Sequence, residues 1–262
     1  MTRQKYPFSH LVAEFFGTAL LLAVGLSVVI LDFGAGSPVA RLVPNEGLRR
    51  LITGFLFGST GALIAVSPLG KISGAHINPV VTLAFLIEGK IRGRHAAGYL
   101  FAQLTGAVAG CLPLLLWGRI GKSVAYGSTA PGPAYPVWLA LVGEIATTFA
   151  LVILLFVFLG HKKIRRFTPL LLPFLYALMV FLEAPLSGTS TNPARSLGPA
   201  VVASDWQFWW VYWLGPSLGA LLAVAVHSGS WLRTLEVDVA KLYHFEHDPR
   251  GVFRWERSAG RW

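Results

Sequence analysis

The chain has 262 residues, of which 54% are hydrophobic and 13% charged, and its mean hydropathy of +0.60 is too high for an ordinary soluble domain. This composition excludes large soluble domains and intrinsic disorder. Its single cysteine excludes an intramolecular disulfide framework, a four-thiolate zinc site and a thiolate-ligated iron–sulfur cluster. We therefore expect an all-α protein whose solvent is the lipid bilayer.

Six long apolar runs follow one another along the chain, and a helix needs about 20 such residues to cross a membrane. The first run carries Glu14 and is too long for the apolar region of a signal peptide, so we interpret it as a retained helix. The predicted transmembrane helices cover residues 11–31, 51–67, 95–117, 137–159, 169–182 and 208–226.

Basic residues are concentrated on one side of this topology. Six crossings place both termini on that side with the second and fourth connections, and sixteen of the 22 lysines and arginines fall there. Because cytoplasmic loops carry the excess of Lys and Arg, we expect residues 1–10 and the tail 228–262 in the cytoplasm, below the plasma (cell inner) membrane. Topology thus explains the net charge of +10, and no nucleic-acid partner is indicated.

The tail holds apolar residues at helical spacing: Trp231, Leu235, Val239 and Leu242. This spacing is compatible with a short amphipathic helix on the inner leaflet. A plain cytoplasmic tail is the other interpretation, and the favoured one.

The membrane domain, residues 11–227, contains an internal repeat. Residues 73–79 read SGAHINP and residues 187–193 read SGTSTNP, while an ExxxT pattern occurs at Glu14 and again at Glu144. Each half, 11–117 and 137–227, holds three crossings, so the second half is inverted relative to the first. Inverted repeats are typical of transport proteins whose pathway lies where the halves meet.

A short apolar segment follows each Asn-Pro, too short to span the membrane. Asparagine is a favoured helix N-cap and proline a favoured first helical residue, so we predict two re-entrant half-helices that meet by their N-termini at mid-membrane. The predicted centre of the pore consists of Asn78, Pro79, Val80, Asn192, Pro193 and Ala194.

Two properties of this centre favour a channel for neutral solutes. The two positive helix ends oppose a cation roughly a thousandfold, and the asparagine amides offer N–H donors to a passing water or hydroxyl. The unwound segment before each asparagine offers backbone carbonyls, which are unstable in lipid and suited to a polar pore. The predicted carbonyl lining comes from Gly74, Ala75, His76, Gly188, Ser190 and Thr191.

Charged residues inside the membrane are costly and need a reason. We interpret Arg195 as a donor at a constriction, and Glu14 and Glu144 as structural acceptors that brace the unwound segments rather than as a proton relay. His76 is either a structural histidine or, less favoured, a gate that responds to protonation.

No HExxH, CxxC or Walker motif is present, so the sequence predicts no enzyme, no cofactor and no metal site. The main alternative of another class is an ion-coupled transporter, in which Glu14, Glu144 and Glu183 would be coupling carboxylates.

Together, the paired SGxxxNP segments, the two ExxxT helices and the inverted six-helix pattern resemble the aquaporin and aquaglyceroporin superfamily of major intrinsic proteins, over about residues 8–227. The resemblance implies a homotetramer in which each protomer has its own passive, bidirectional pore. Val80 replaces the alanine usual in that family, which puts the spacing of the half-helices in question.

In that family the outer filter lies at fixed offsets from the asparagines, which implies a filter here of Gly58, Val180, Thr189 and Arg195. Water-only members have an aromatic residue at the first position and a histidine at the second. This chain has neither, and its set resembles the wide filters of the nodulin-like and metalloid-permeable branches. With a one-residue insertion in the second helix, Phe57 replaces Gly58 and the pore narrows.

Other markers match water-type members instead: Ser196, Ala200, Tyr212 and Trp213. Because the filter acts directly on solute size, we predict a channel for water and small uncharged solutes such as glycerol, urea, boric acid and arsenous acid, closed to protons and ions. A water-selective aquaporin is the alternative.

Overall fold

A computed structural model describes residues 8–229, 231–243 and 246, and this part of the chain is helical. It contains eight helices of nine residues or more, which are α1 (Phe8–Phe33), α2 (Glu46–Val66), α3 (Pro79–Ile87), α4 (Gly93–Cys111), α5 (Val137–Gly160), α6 (Thr168–Ser187), α7 (Pro193–Ala203) and α8 (Val211–Gly229). The six predicted crossings correspond to α1, α2, α4, α5, α6 and α8. The predicted all-α fold with two additional half-helices, α3 and α7, is confirmed.

The long helices form a bundle that repeats the internal symmetry of the sequence. Helix α1 packs against α4, α5 packs in the same way against α8, and α2 packs against α6 across the two halves. Glycines allow the last pair to approach closely, because a Cβ added at Gly54 would lie 2.3 Å from the carbonyl oxygen of Tyr176. Such small-residue contacts are typical of helix packing in membranes.

The outer surface of the bundle fits a lipid environment. Large apolar side chains are exposed on several helices, among them Phe16, Leu63, Phe101 and Phe174, and a contiguous exposed apolar surface marks an interaction with lipid or protein. Within the part of the chain that the structure describes, five helical stretches have the length and composition to cross a membrane. The remaining long helix, α2, has 21 residues and begins with the charged residues Glu46, Arg49 and Arg50.

Residues 1–7 and most of the tail beyond Tyr243 lie outside the described residues. The expected cytoplasmic position of residues 1–10 and the three-part division of the chain therefore stay predictions. Between Trp231 and Tyr243, the only helical segment is the short 3-10 helix Trp231–Thr234. Residues 235–243 do not form an amphipathic helix. They pack against the bundle, where the side chains of Val237, Leu242 and Tyr243 are buried.

Candidate pore between the two half-helices

The unwound segments before α3 and α7 have the same backbone. A left-handed glycine starts each one, Gly74 with φ of 91° and Gly188 with φ of 82°. Each then has two further residues with positive φ, Ala75 and Ile77 in the first and Thr189 and Thr191 in the second. Non-glycine residues adopt this conformation at a cost that the surrounding contacts have to offset, so both segments need strong bracing.

Two buried carboxylates supply that bracing. Glu14 accepts hydrogen bonds from the backbone N–H groups of His76 and Ile77, at 2.9 and 2.8 Å. Glu144 accepts from those of Ser190 and Thr191, at 2.6 and 2.8 Å. Both carboxylates are fully buried, and their positions in α1 and α5 are equivalent in the repeat.

Asn78 and Asn192 each begin one half-helix and contact the other. Each Oδ1 atom accepts from the backbone N–H two residues on, at 3.0 Å, as expected of an N-cap. Each Nδ2 atom donates across the midplane at 2.9 Å, from Asn78 to the Thr191 carbonyl and from Asn192 to the Ile77 carbonyl. The side-chain amide of each asparagine has a second N–H group besides the one that makes this bond. Both asparagines line the central cavity.

Val80 does not spread the half-helices apart. Its side chain is 2% exposed, and the cross-pore hydrogen bonds of the two asparagines have the same length. Its counterpart Ala194 is equally buried. The larger valine is therefore accommodated while both crossed asparagine hydrogen bonds form.

Arg195 lies at one end of the pore, held by the connection between α4 and α5. Its side chain is 5% exposed, and Nη1 donates to the Gly127 carbonyl at 2.7 Å. A small cavity beside it is lined by Val180, Gly188 and Thr189. Three of the four predicted filter residues, Val180, Thr189 and Arg195, are thus brought together.

The fourth predicted filter residue, Gly58, is not at this cavity. Gly58 lines the central cavity. Its α-carbon packs closely against α6, because a Cβ added at this position would lie 2.4 Å from the carbonyl oxygen of Leu172. Phe57 lies beside Arg195 instead. This placement matches the alternative drawn from the sequence, in which Phe57 takes the first filter position instead of Gly58.

Several predicted lining carbonyls already have partners. The Thr191 oxygen accepts from Asn78, the Ser190 oxygen accepts from the Thr191 hydroxyl, and the Gly74 oxygen accepts from the backbone of Leu242 at 2.9 Å. His76 lines the central cavity and is held on both ring nitrogens, by the Thr82 hydroxyl and the Ala240 carbonyl. These contacts match a structural histidine.

The cavity beside Arg195 and the central cavity share two lining residues, Phe57 and Tyr176. Their ring centroids are 5.8 Å apart, and the Tyr176 hydroxyl lies 2.9 Å from the Thr191 hydroxyl. Two neighbouring aromatic rings therefore border both cavities. Tyr176 was missed in the sequence, although it lies one helical turn before Val180 and so faces the same side of α6.

Comparison with known proteins adds independent information. The family profile described as "Major intrinsic protein" matches residues 1–227. "Probable aquaporin PIP2-7" from Oryza sativa subsp. japonica is 34% identical over 230 residues, covering 84% of this chain and 78% of the relative. "Lens fiber major intrinsic protein" from Gallus gallus is 34% identical over 226 residues, covering 83% and 79%.

A solved structure, that of the aquaglyceroporin from Plasmodium falciparum, has the same fold. It superposes with a TM-score of 0.64 at 20% sequence identity, covering 87% of this chain and 98% of that one.

Proposed function

This chain belongs to the major intrinsic protein family and is a passive membrane channel rather than an enzyme; we propose that its pore conducts water in preference to larger solutes and excludes protons and ions. The observation that carries the proposal is the aromatic pair, Phe57 and Tyr176, between the two cavities. The expectation of a wide filter depended on Gly58, which lies elsewhere. With an aromatic residue beside Arg195, the water-selective alternative is the better supported one.

Ion exclusion follows from fixed positive charge at two levels of the pore. Each half-helix end carries about half a charge, and two of them oppose a cation ~4 Å away by about 4 kcal/mol at an effective dielectric of ~20. Arg195 adds a full charge at the filter cavity. Asn78 and Asn192 orient a water molecule by donating to its oxygen, which interrupts a proton-conducting chain.

Glycerol, urea, boric acid and arsenous acid remain the second candidate set of solutes. Val180 favours them, because a valine leaves the second filter position small and apolar, and the central cavity is lined by apolar side chains such as Leu21, Val81 and Leu151. An aromatic pair restricts size more than polarity, so planar urea is expected to pass before glycerol.

The membrane location, the orientation and the oligomeric state of the channel are also part of the proposal. We place the channel in the plasma (cell inner) membrane with both termini cytoplasmic, as the distribution of basic residues favours. A homotetramer is consistent with the apolar outer surface of the bundle. The alternative from another class of protein, an ion-coupled transporter, is disfavoured. The carboxylates of Glu14 and Glu144 already accept hydrogen bonds from the backbone N–H groups of the unwound segments.

Stopped-flow light scattering of proteoliposomes tests the proposal with water, urea, glycerol and arsenous acid in turn. We expect water flux without any ion gradient, slower urea flux and little glycerol flux. Phe57→Ala should admit glycerol. Phe55→Ala is the matched control, since Phe55 is on the same helix but 40% exposed on its outer side. Rapid glycerol flux through the unaltered protein would contradict water selectivity, and flux that requires an ion gradient would favour the transporter.

A further inference from the structure

A residue from the tail forms part of the wall of the central cavity. Leu242, from the tail, lines this cavity together with His76, Asn78 and Asn192, and it is only 3% exposed. An apolar side chain in this place offers a permeating water no hydrogen bond. Nothing in the channel function requires it there.

The segment that carries Leu242 is fastened to the first unwound loop. The Leu242 N–H donates to the Gly74 carbonyl at 2.9 Å, and the Ala240 carbonyl lies 2.9 Å from the His76 Nε2 atom. The Lys241 ammonium donates to the carbonyl of Lys71 at 2.8 Å. Three successive tail residues therefore form hydrogen bonds with the first unwound segment and with the short helix that precedes it.

A second set of contacts holds the base of the segment. Arg165, in the connection between α5 and α6, donates to the Asp238 carboxylate at 2.8 Å. The Leu235 carbonyl lies 3.2 Å from His227 Nε2, and Gly160 allows the same carbonyl to approach the end of α5, since an added Cβ would lie 2.3 Å from it.

We propose that residues 235–243 are an autoinhibitory plug that closes the pore by seating Leu242 in the central cavity. The proposal rests on the proposed channel function and names its regulation. The plug adds no transmembrane helix and is held by hydrogen bonds, a half-exposed ion pair and a few apolar side chains. It can therefore leave while the six-helix bundle stays intact, and the channel conducts when Leu242 is withdrawn.

Water permeability per channel is the first test, measured on the full-length protein in proteoliposomes. Leu242→Ala should raise it about five- to tenfold, because the closed state loses its seated side chain and the open population grows. Val239→Ala removes methyl groups from the same segment without touching the cavity and should leave it unchanged. Equal permeability of the Leu242→Ala variant and the unaltered protein would overturn the proposal.

The ion pair at the base gives a test that does not alter the pore. Asp238→Arg places two like charges together and should raise permeability, and so should Arg165→Asp. Combining the two substitutions restores opposite charges and should return permeability to the starting value. Increases that persist in the double variant would show that the pair does not hold a plug.

Thiol labelling distinguishes failure of the plug from failure of the channel function. Leu242→Cys should react with a soluble maleimide at least about tenfold more slowly than Val239→Cys, since opening must precede reaction, and Asp238→Arg should accelerate it. The native cysteine, Cys111, is buried, so labelling of the unaltered protein gives the background rate. Equal labelling rates would overturn the plug whatever the flux. Slow labelling of Leu242→Cys, in a protein that passes no water even as the Leu242→Ala and Asp238→Arg variants, would support the seating of Leu242 and refute the channel.

Discussion

The two halves of the pore share the same backbone conformation but differ in their side chains. Both half-helices begin at an asparagine, follow a left-handed glycine and are braced by a buried glutamate. Three residues after the asparagine, however, the first half has Val81 and the second has Arg195. The first loop has Ala75, His76 and Ile77 where the second has Thr189, Ser190 and Thr191. Symmetry therefore builds the scaffold, and departures from symmetry set the selectivity.

The scaffold side of this comparison is tested by removing the braces, which has the largest expected effect. Glu14→Ala and Glu144→Ala each leave buried N–H groups without a partner and should lower the free energy of unfolding by about 3–5 kcal/mol. Thermal unfolding in detergent measures this. Glu→Gln at either site retains one acceptor and should lose less. A large difference between the Glu14 and Glu144 variants would break the equivalence of the two halves.

Selectivity is tested by making the second half like the first. Arg195→Val removes a full charge worth about 4 kcal/mol against a cation at ~4 Å and an effective dielectric of ~20, so cation leakage should rise by up to about a thousandfold. Potassium flux in proteoliposomes measures it, with Arg195→Lys as the control that keeps the charge. If Arg195→Val stays impermeable to potassium, the half-helices alone exclude cations.

Size selection is tested at Tyr176, which lies in the second half and borders both cavities. Tyr176→Val should raise glycerol permeability about tenfold by removing one of the two rings between the cavities, with water flux changed much less. Tyr176→Phe keeps the ring and loses only the hydroxyl contact with Thr191, so it should remain closed to glycerol. Glycerol flux that is the same in all three proteins would assign size selection elsewhere.

The smallest effect is expected from making the first half like the second at Val80. Val80→Ala removes two methyl groups from a buried site and should cost about 1.5 kcal/mol of stability. Because the asparagine contacts on both sides already have equal length, water permeability should stay within about twofold. A strong change in permeability would show that Val80 sets the midplane width.

The features that were predicted from the sequence are those with a local signal. Two Asn-Pro pairs in matching context indicate two helix starts, and a repeated ExxxT pattern marks equivalent positions. The half-helices and Glu14 and Glu144 were identified from these signals. The choice between Gly58 and Phe57 stayed open in the sequence, because residue counting alone does not show which of two neighbouring residues in a helix faces Arg195. Leu242 was visible only as an apolar residue in a tail, because its contact with Gly74 joins segments far apart in sequence.

The crossed amide contacts also constrain how the protein is made. The bond from Asn78 to Thr191 joins residues 113 positions apart, so the first half emerges from the ribosome with its amide unmatched and waits for the second. Contacts of such long range form late in folding. The centre of the candidate pore is consequently completed only when both halves are present, and a chain that contains only the first half lacks the partner of each crossed contact.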